Sequence, residues 1–191
     1  MEVSSTKTFQ VSADIDSVWS VLNDPQQVVV CVPGAQLTEV LDEDHFKGKV
    51  TLKIGPVTAK FNGKVEFTQR DSVKYELALE GRGADISGKG GASMKMSLSL
   101  RALEKHTEVT SIMSVSITGR IAQFGARMIE AVNNKLFEQF TQNFSNLLAK
   151  ENVAAGAGTN SPEAEPVKAA SLVGSVIVSE LKKKFGKKVP L

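Results

Sequence analysis

The run from Arg120 to Leu148 sets the terms for the rest of the chain. Apolar residues recur there at Ile121, Gly125, Met128, Val132, Leu136, Phe140, Phe144 and Leu147, with Phe124, Ile129 and Leu148 beside them. Steps of three and four place these on one helical face, and Gln123, Arg127, Glu130, Asn134, Glu138, Gln142 and Asn146 on the other. No proline interrupts the run, which predicts one α-helix roughly 43 Å long at ~1.5 Å per residue. A second helix is too narrow to cover so wide an apolar stripe.

The preceding residues supply a sheet. From Leu37 to Thr118 the period is two: Phe46, Gly48, Val50, Leu52 and Ile54 alternate with Lys47, Lys49, Thr51 and Lys53. Val57, Ala59, Phe61, Gly63, Val65 and Phe67 alternate in the same way with Thr58, Lys60, Asn62, Lys64 and Glu66. Gly55-Pro56 joins these runs as a two-residue hairpin loop, and glycine at its first position suits a type II′ turn. Tyr75, Leu77 and Leu79, then Met94, Met96, Leu98 and Leu100, then Val109, Met113, Val115 and Ile117 continue the alternation. Such a pattern means an antiparallel sheet with one wet face.

The chain opens in a strand-like pattern that ends over Thr8–Val11, with no basic start or apolar signal core, so secretion is not expected. Ser12 or Asp14 can cap a short helix carrying Ile15, Val18, Trp19 and Leu22. Asp24-Pro25 starts a second, with proline at the first helical position, and Pro33-Gly34 breaks it. The expected fold is α+β: a curved antiparallel sheet of about seven strands, two short helices, and one long C-terminal helix over an apolar cavity. The residues expected to line that cavity are Phe46, Val50, Phe61, Val65, Phe67, Leu77, Met94, Met96, Met113, Phe124, Met128 and Val132, none of them charged. The methionines are flexible and suit adaptable packing, though taken alone ordinary core packing is the plainer reading of them.

Residue chemistry narrows the function. Cys31 is the sole cysteine, which rules out an intrachain disulfide and suits a reducing compartment. His45 and His106 sit beside expected turns without the spacing of a helical metal site, and no nucleophile–base pair stands out by spacing, so neither a catalytic nor a metal site is expected. Gly83-Ala-Asp-Ile-Ser-Gly88-Lys89 matches the first positions of a phosphate-binding loop. Gly90 stands where Ser or Thr should ligate magnesium, and strand alternation resumes where a helix should begin, so bends or bulges explain these glycines better.

Charge divides the chain. Residues 1–166 carry 17 Lys+Arg and 20 Asp+Glu, a balance of −3, whereas residues 167–191 carry six lysines and Glu180, a balance of +5. A nucleic-acid binder would carry its positive charge on the folded part, so no nucleic-acid partner is expected. The expected divisions are a domain over 1–149, a flexible linker over 150–166 rich in Ala, Gly, Ser and Pro, and a tail over 167–191. In the tail Leu172, Val173, Val176, Ile177, Leu181 and Phe185 share one helical face. Lys182, Lys183, Lys184, Lys187 and Lys188 close the chain. The segment is too short to span a bilayer, which takes about 20 apolar residues, and suits an anionic membrane surface instead.

Val32-Pro33-Gly34-Ala35, the run from Lys53 to Gly63, Glu80-Gly-Arg-Gly83, and the run from Thr118 to Arg127 resemble phrases of the carbon monoxide dehydrogenase CoxG family, part of the START-like, helix-grip (SRPBCC) superfamily. The resemblance spans roughly residues 1–150 and implies the helix-grip fold with an apolar cavity between sheet and helix. Its functional implication is an accessory protein, not an enzyme, for a molybdenum carbon monoxide dehydrogenase or related hydroxylase. It would attach peripherally to the inner face of the cytoplasmic membrane, with no intrinsic cofactor. The expected cavity ligand is an apolar small molecule, a respiratory quinone such as menaquinone or ubiquinone, with acyl lipid as the rival. Alternative roles are a maturation factor or docking adaptor for the molybdenum enzyme, or a lipid-binding or cyclase-type enzyme of the same fold.

Overall fold

In this computed structural model the described residues are 1–88 and 90–156. The chain forms β1 (Glu2–Val11), α1 (Ile15–Asn23), α2 (Pro25–Val28), a 3-10 turn over Val29–Cys31, and β2 (Ala35–Val40). There follow β3 (His45–Ile54), β4 (Val57–Asp71), β5 (Glu76–Asp85), β6 (Gly90–Ala102), β7 (Thr107–Gly119), a 3-10 turn over Arg120–Phe124, and α3 (Ala126–Gly156). The seven strands make one sheet in the order β1-β7-β6-β5-β4-β3-β2, each neighbouring pair antiparallel. The expected α+β helix-grip architecture is what the chain adopts.

Local chemistry fixes the element ends. Asp14 caps α1: one carboxylate oxygen accepts from the Ser17 amide at 2.9 Å, the other from the Ser17 hydroxyl at 2.7 Å. Asp24 caps α2 by accepting from the Gln26 amide at 2.8 Å, with Pro25 pre-set in the first turn. Ile54 pairs with Val57 across Gly55-Pro56, and Gly55 has a φ of +58°, as the first position of that turn requires.

One expectation is corrected. The periodic run does not form a single helix from Arg120, because it divides at Gly125. Gly119 has a φ of +75° and Gly125 a φ of +78°, a region open to glycine and closed to other residues. Between them the 3-10 turn buries Ile121 and packs Phe124 against the core. At the other end α3 runs to Gly156, past the domain boundary expected at Ala149, and the unit defined by its contacts is Met1–Ala155. The remaining linker and the whole tail, with Leu172, Val173, Val176, Ile177, Leu181, Phe185 and its lysines, lie outside the described residues.

The helix rides along β1, the edge strand. Ile129 shares a core cluster with Val3, and Asn133 Nδ2 donates to Ser5 Oγ at 3.1 Å. Lys7 Nζ stands 5.1 Å from the Phe137 ring centre, and Phe9 meets the rings of Phe137, Phe140 and Phe144 edge-on at 5.6, 6.2 and 6.1 Å. Two strand residues advance about 6.6 Å and four helix residues about 6 Å, so each inward residue of β1 meets the next turn of α3. Farther along, Asn143 Nδ2 donates to the Cys31 carbonyl at 3.2 Å and ties the helix to the turn after α2.

The core gathers at the ends of this sandwich. Val11, Val18, Val21, Leu22, Leu100, Val109, Phe144 and Leu148 fill the end under α1. There the buried Thr107 hydroxyl donates to the Ala13 carbonyl at 2.8 Å. Val3, Ile54, Ala59, Phe61, Ile117, Ile121 and Ile129 fill the end near the Gly55 turn. A third cluster joins Phe46, Phe67 and Leu77, with Trp19 packed on it.

Candidate ligand groove

Between these clusters the inner face of the sheet is incompletely covered. Val65, Met94, Met96 and Met113 point inward by strand parity and by register, Met94 opposite Val115 and Met96 opposite Met113. All four are only half-buried and belong to none of the clusters. These side chains form a half-buried apolar patch on the inner face of the middle strands, the candidate ligand groove. Glycine shapes the backbone beneath it. Gly48, Gly63 and Gly83 lie in one cross-strand row, and Gly81 faces Met94 one step along. A Cβ at Gly63 would stand 2.5 Å from the Arg82 carbonyl oxygen, so the sheet bends where a side chain would forbid it.

The expected lining residues divide by position. Phe46, Phe67 and Leu77 form the closed cluster beside Trp19. Phe61 is buried in the cluster at the Gly55 end, where Val50, Phe124 and Val132 pack against it. These two groups wall the ends, and Val65, Met94, Met96 and Met113 make the open middle. Met128 is 37% exposed and lies by the Gly55 turn, outside the groove proper. A depression of about 330 Å³ is bordered by Val57, Lys60, Asp85, Ser87, Arg120 and Ile121, and another of about 270 Å³ by Asp24, Val40, Asp42, Glu43, Phe46 and Arg70. Neither reaches Met94, Met96 or Met113.

Polar side chains also occupy the inner face. Ser5 and Lys7 on β1 point inward in alternation with Val3, Phe9 and Val11, and Ser111 shares a row with Lys7 and Leu98. Periodicity passes over them, because a lysine at an inward position of an edge strand breaks the alternation. Here its apolar stem can follow the helix while its ammonium rests over the Phe137 ring. The one signal in the sequence is that Val3, Phe9 and Val11 fix the parity that puts residues 5 and 7 inside.

The shifted titratable groups lie elsewhere. The hydrogen bond to Asp42, 2.8 Å from His45 Nδ1, raises the His45 pKa above its ordinary value and lowers that of Asp42. Ser17 holds the Asp14 carboxyl low, and the Ser87 hydroxyl and amide do the same for Asp85. Each belongs to a cap, turn or outer-face pair and none to the groove. Among the described residues no group of three His, Cys, Asp or Glu could hold a metal ion, and no helix is long and apolar enough to cross a membrane.

The fold has many solved counterparts. A conserved protein from Geobacillus kaustophilus superposes with a TM-score of 0.71 at 24% identity, covering 78% of this chain and 97% of its own. The Zhui aromatase/cyclase from Streptomyces sp. R1128 gives 0.60 at 15% identity, covering 82% and 99%. A Thalictrum flavum norcoclaurine synthase mutant gives 0.56 at 14% identity, covering 80% and 97%. At these identities the likeness is one of fold. No curated protein matches the chain. The family model for the carbon monoxide dehydrogenase protein CoxG matches residues 8–149, from the middle of β1 through the part of α3 that rides on it. The match thus takes in β2 to β7 and the second half of β1, and this chain belongs to the carbon monoxide dehydrogenase CoxG family.

Proposed function

We infer that this chain is a non-catalytic accessory protein of a molybdenum-containing carbon monoxide dehydrogenase or a related hydroxylase. It holds an apolar molecule in the groove, an isoprenoid quinone (menaquinone or ubiquinone), and couples the enzyme to a membrane acceptor. The observation that carries this reading is the half-buried patch of Val65, Met94, Met96 and Met113 between two filled core clusters. Three flexible thioether side chains can reshape around a ligand and close on one another without it. An isoprenoid tail resting on these four side chains desolvates no charge among them, and each CH₂ it buries contributes about 0.8 kcal/mol.

The chemistry balances with these partners alone. Oxidation of carbon monoxide by water yields carbon dioxide, two protons and two electrons, and a quinone takes up both pairs to become the quinol. The hydroxylase supplies the electrons, and this chain's part is to lift the acceptor out of the bilayer and present it. The basic, amphipathic segment over 167–191 is the proposed membrane contact, at the inner face of the cytoplasmic membrane. Leu172, Val173, Val176, Ile177, Leu181 and Phe185 would lie in the interface, with Lys182, Lys183, Lys184, Lys187 and Lys188 toward anionic headgroups. An enzymatic role is less well supported, since the perturbed carboxylates and His45 sit on caps, turns and the outer face.

Carbon-monoxide-dependent quinone reduction in vesicles, with purified enzyme and with or without this protein, tests the reading. Reduction should require the full chain and fall sharply for a chain ending at Ala155. Equal rates without the protein would remove the proposal.

A further inference from the structure

The outer face of the sheet carries an array of charge that folding alone does not explain. Lys47 on β3 stands directly opposite Lys64 on β4, and Lys64 directly opposite Arg82 on β5. Like charges in register across strands repel. Lys49, Lys53 and Lys60 extend the same surface toward the Gly55 turn, and all but Lys47 are exposed. The acids of this region lie at its border. Glu39 pairs with Lys47 at 2.8 Å, Glu80 with Lys95 at 2.8 Å and Arg82 at 3.8 Å, and Glu66 stands 3.6 Å from His45 Nε2. Among the described residues Lys49, Lys53, Lys60 and Lys64 make no ion pair. This array sits on a domain whose net charge is negative over residues 1–166.

The glycine row gives the array its shape. Gly48, Gly63 and Gly83 leave the inner face bare and let the sheet bend toward α3. Their outward neighbours, Lys47, Lys49, Lys64 and Arg82, therefore ride on the outside of the bend. The result is a rigid convex crest of cations. Of the large exposed apolar side chains only Ile86 adjoins it, at the Lys60 end, where the Ile86 amide donates to the Lys60 carbonyl at 3.0 Å. One isoleucine at the end of the array is a poor anchor for insertion into a bilayer, and no Phe, Tyr or Trp stands in it to stack on nucleic-acid bases. A convex crest meets a flat bilayer at few points, whereas a concave acidic protein surface engages all of it.

We propose that this crest docks into a concave acidic surface of the electron-donating hydroxylase, an inference that rests on the partner proposed above. The docking face is thus the outside of the sheet, on the opposite side from the groove, and leaves the quinone path free. Complementary charge of this kind acts chiefly on the association rate and on its salt dependence.

The test uses the full chain and purified molybdenum carbon monoxide dehydrogenase from the same organism, with association followed by biolayer interferometry over a series of salt concentrations. Unsubstituted protein should bind with a steep salt dependence. The triple variant Lys49→Glu, Lys60→Glu, Lys64→Glu should associate at least about tenfold more slowly with its salt dependence flattened. The matching triple Lys→Arg variant should bind as the unsubstituted protein does. Far-UV circular dichroism and urea midpoints establish that each variant is folded. Undiminished binding by the Glu variant overturns the docking face and leaves the partner reading standing. Absence of any binding by the unsubstituted protein overturns both. Loss of binding to phosphatidylglycerol vesicles by the Glu variant, with enzyme binding intact, assigns the crest to a bilayer and overturns the proposal.

Discussion

At the residue scale, Lys64 separates stability from use. It faces Lys47 on one side and Arg82 on the other, so Lys64→Glu turns two repulsions into two attractions. Cross-strand pairs of this kind are worth about 0.2–1 kcal/mol, and the urea midpoint of Lys64→Glu should rise accordingly. A lowered midpoint would mean that Lys64 is held by something other than its charged neighbours. His45 makes a second case. Its bond to Asp42 favours the imidazolium, as do the charges of Asp42 and Glu66, and together these outweigh its desolvation. A histidine pKa raised by folding contributes stability that is fully present below about pH 6.5 and is lost as the pH rises through the folded-state value. The nuclear magnetic resonance titration midpoint of His45 should therefore lie above the ordinary histidine value, and His45→Gln should flatten the decline of stability above about pH 6.5. An unshifted midpoint contradicts the contact. At this scale the sequence is hardest to read. Lys7 looks like a surface residue until Val3, Phe9 and Val11 are seen to set its parity, and nothing in its neighbours announces the Phe137 ring that covers it.

At the element scale, the strands were legible and the long helix only in part. Lys47 to Lys53 and Thr58 to Glu66 show their alternation because the sheet has one face in water, where every second residue is polar. The pairing of β1 with β7 was not legible, because no local rule joins residues a hundred positions apart. Gly125 misled for a definite reason: it falls on the apolar stripe of the periodic run, and periodicity registers side chains rather than backbone dihedrals. The two conformations differ in the sign of one substitution. In a continuous helix Gly125→Ala would stabilise by about 1 kcal/mol. At a φ of +78° with ψ of 164° alanine is strained, although nothing lies within 4 Å of its Cβ, and the substitution should cost about 1–3 kcal/mol. Chemical denaturation of Gly125→Ala decides between them, and stabilisation would restore the single helix.

At the scale of the whole molecule, the long helix grips one edge of the sheet and core clusters fill the two ends of the interior, while the methionines of the middle strands stay half-buried. The fold class follows from the switch between a period of two and a period of three to four. The groove does not, because residues that line a space and residues that fill it share one apolar composition. Only burial distinguishes Phe61, packed in a core cluster, from Met96, left half open. Whether this opening holds an isoprenoid quinone is the central question. The most direct measurement is organic extraction of the full-length protein, purified natively without detergent from a quinone-containing host, followed by mass spectrometry of the extract. Quinone should appear in the extract of the unsubstituted protein and be lost from Met96→Trp and Met113→Trp variants that remain folded. Acyl lipid without quinone, or quinone recovered equally from the tryptophan variants, would contradict quinone binding in the groove.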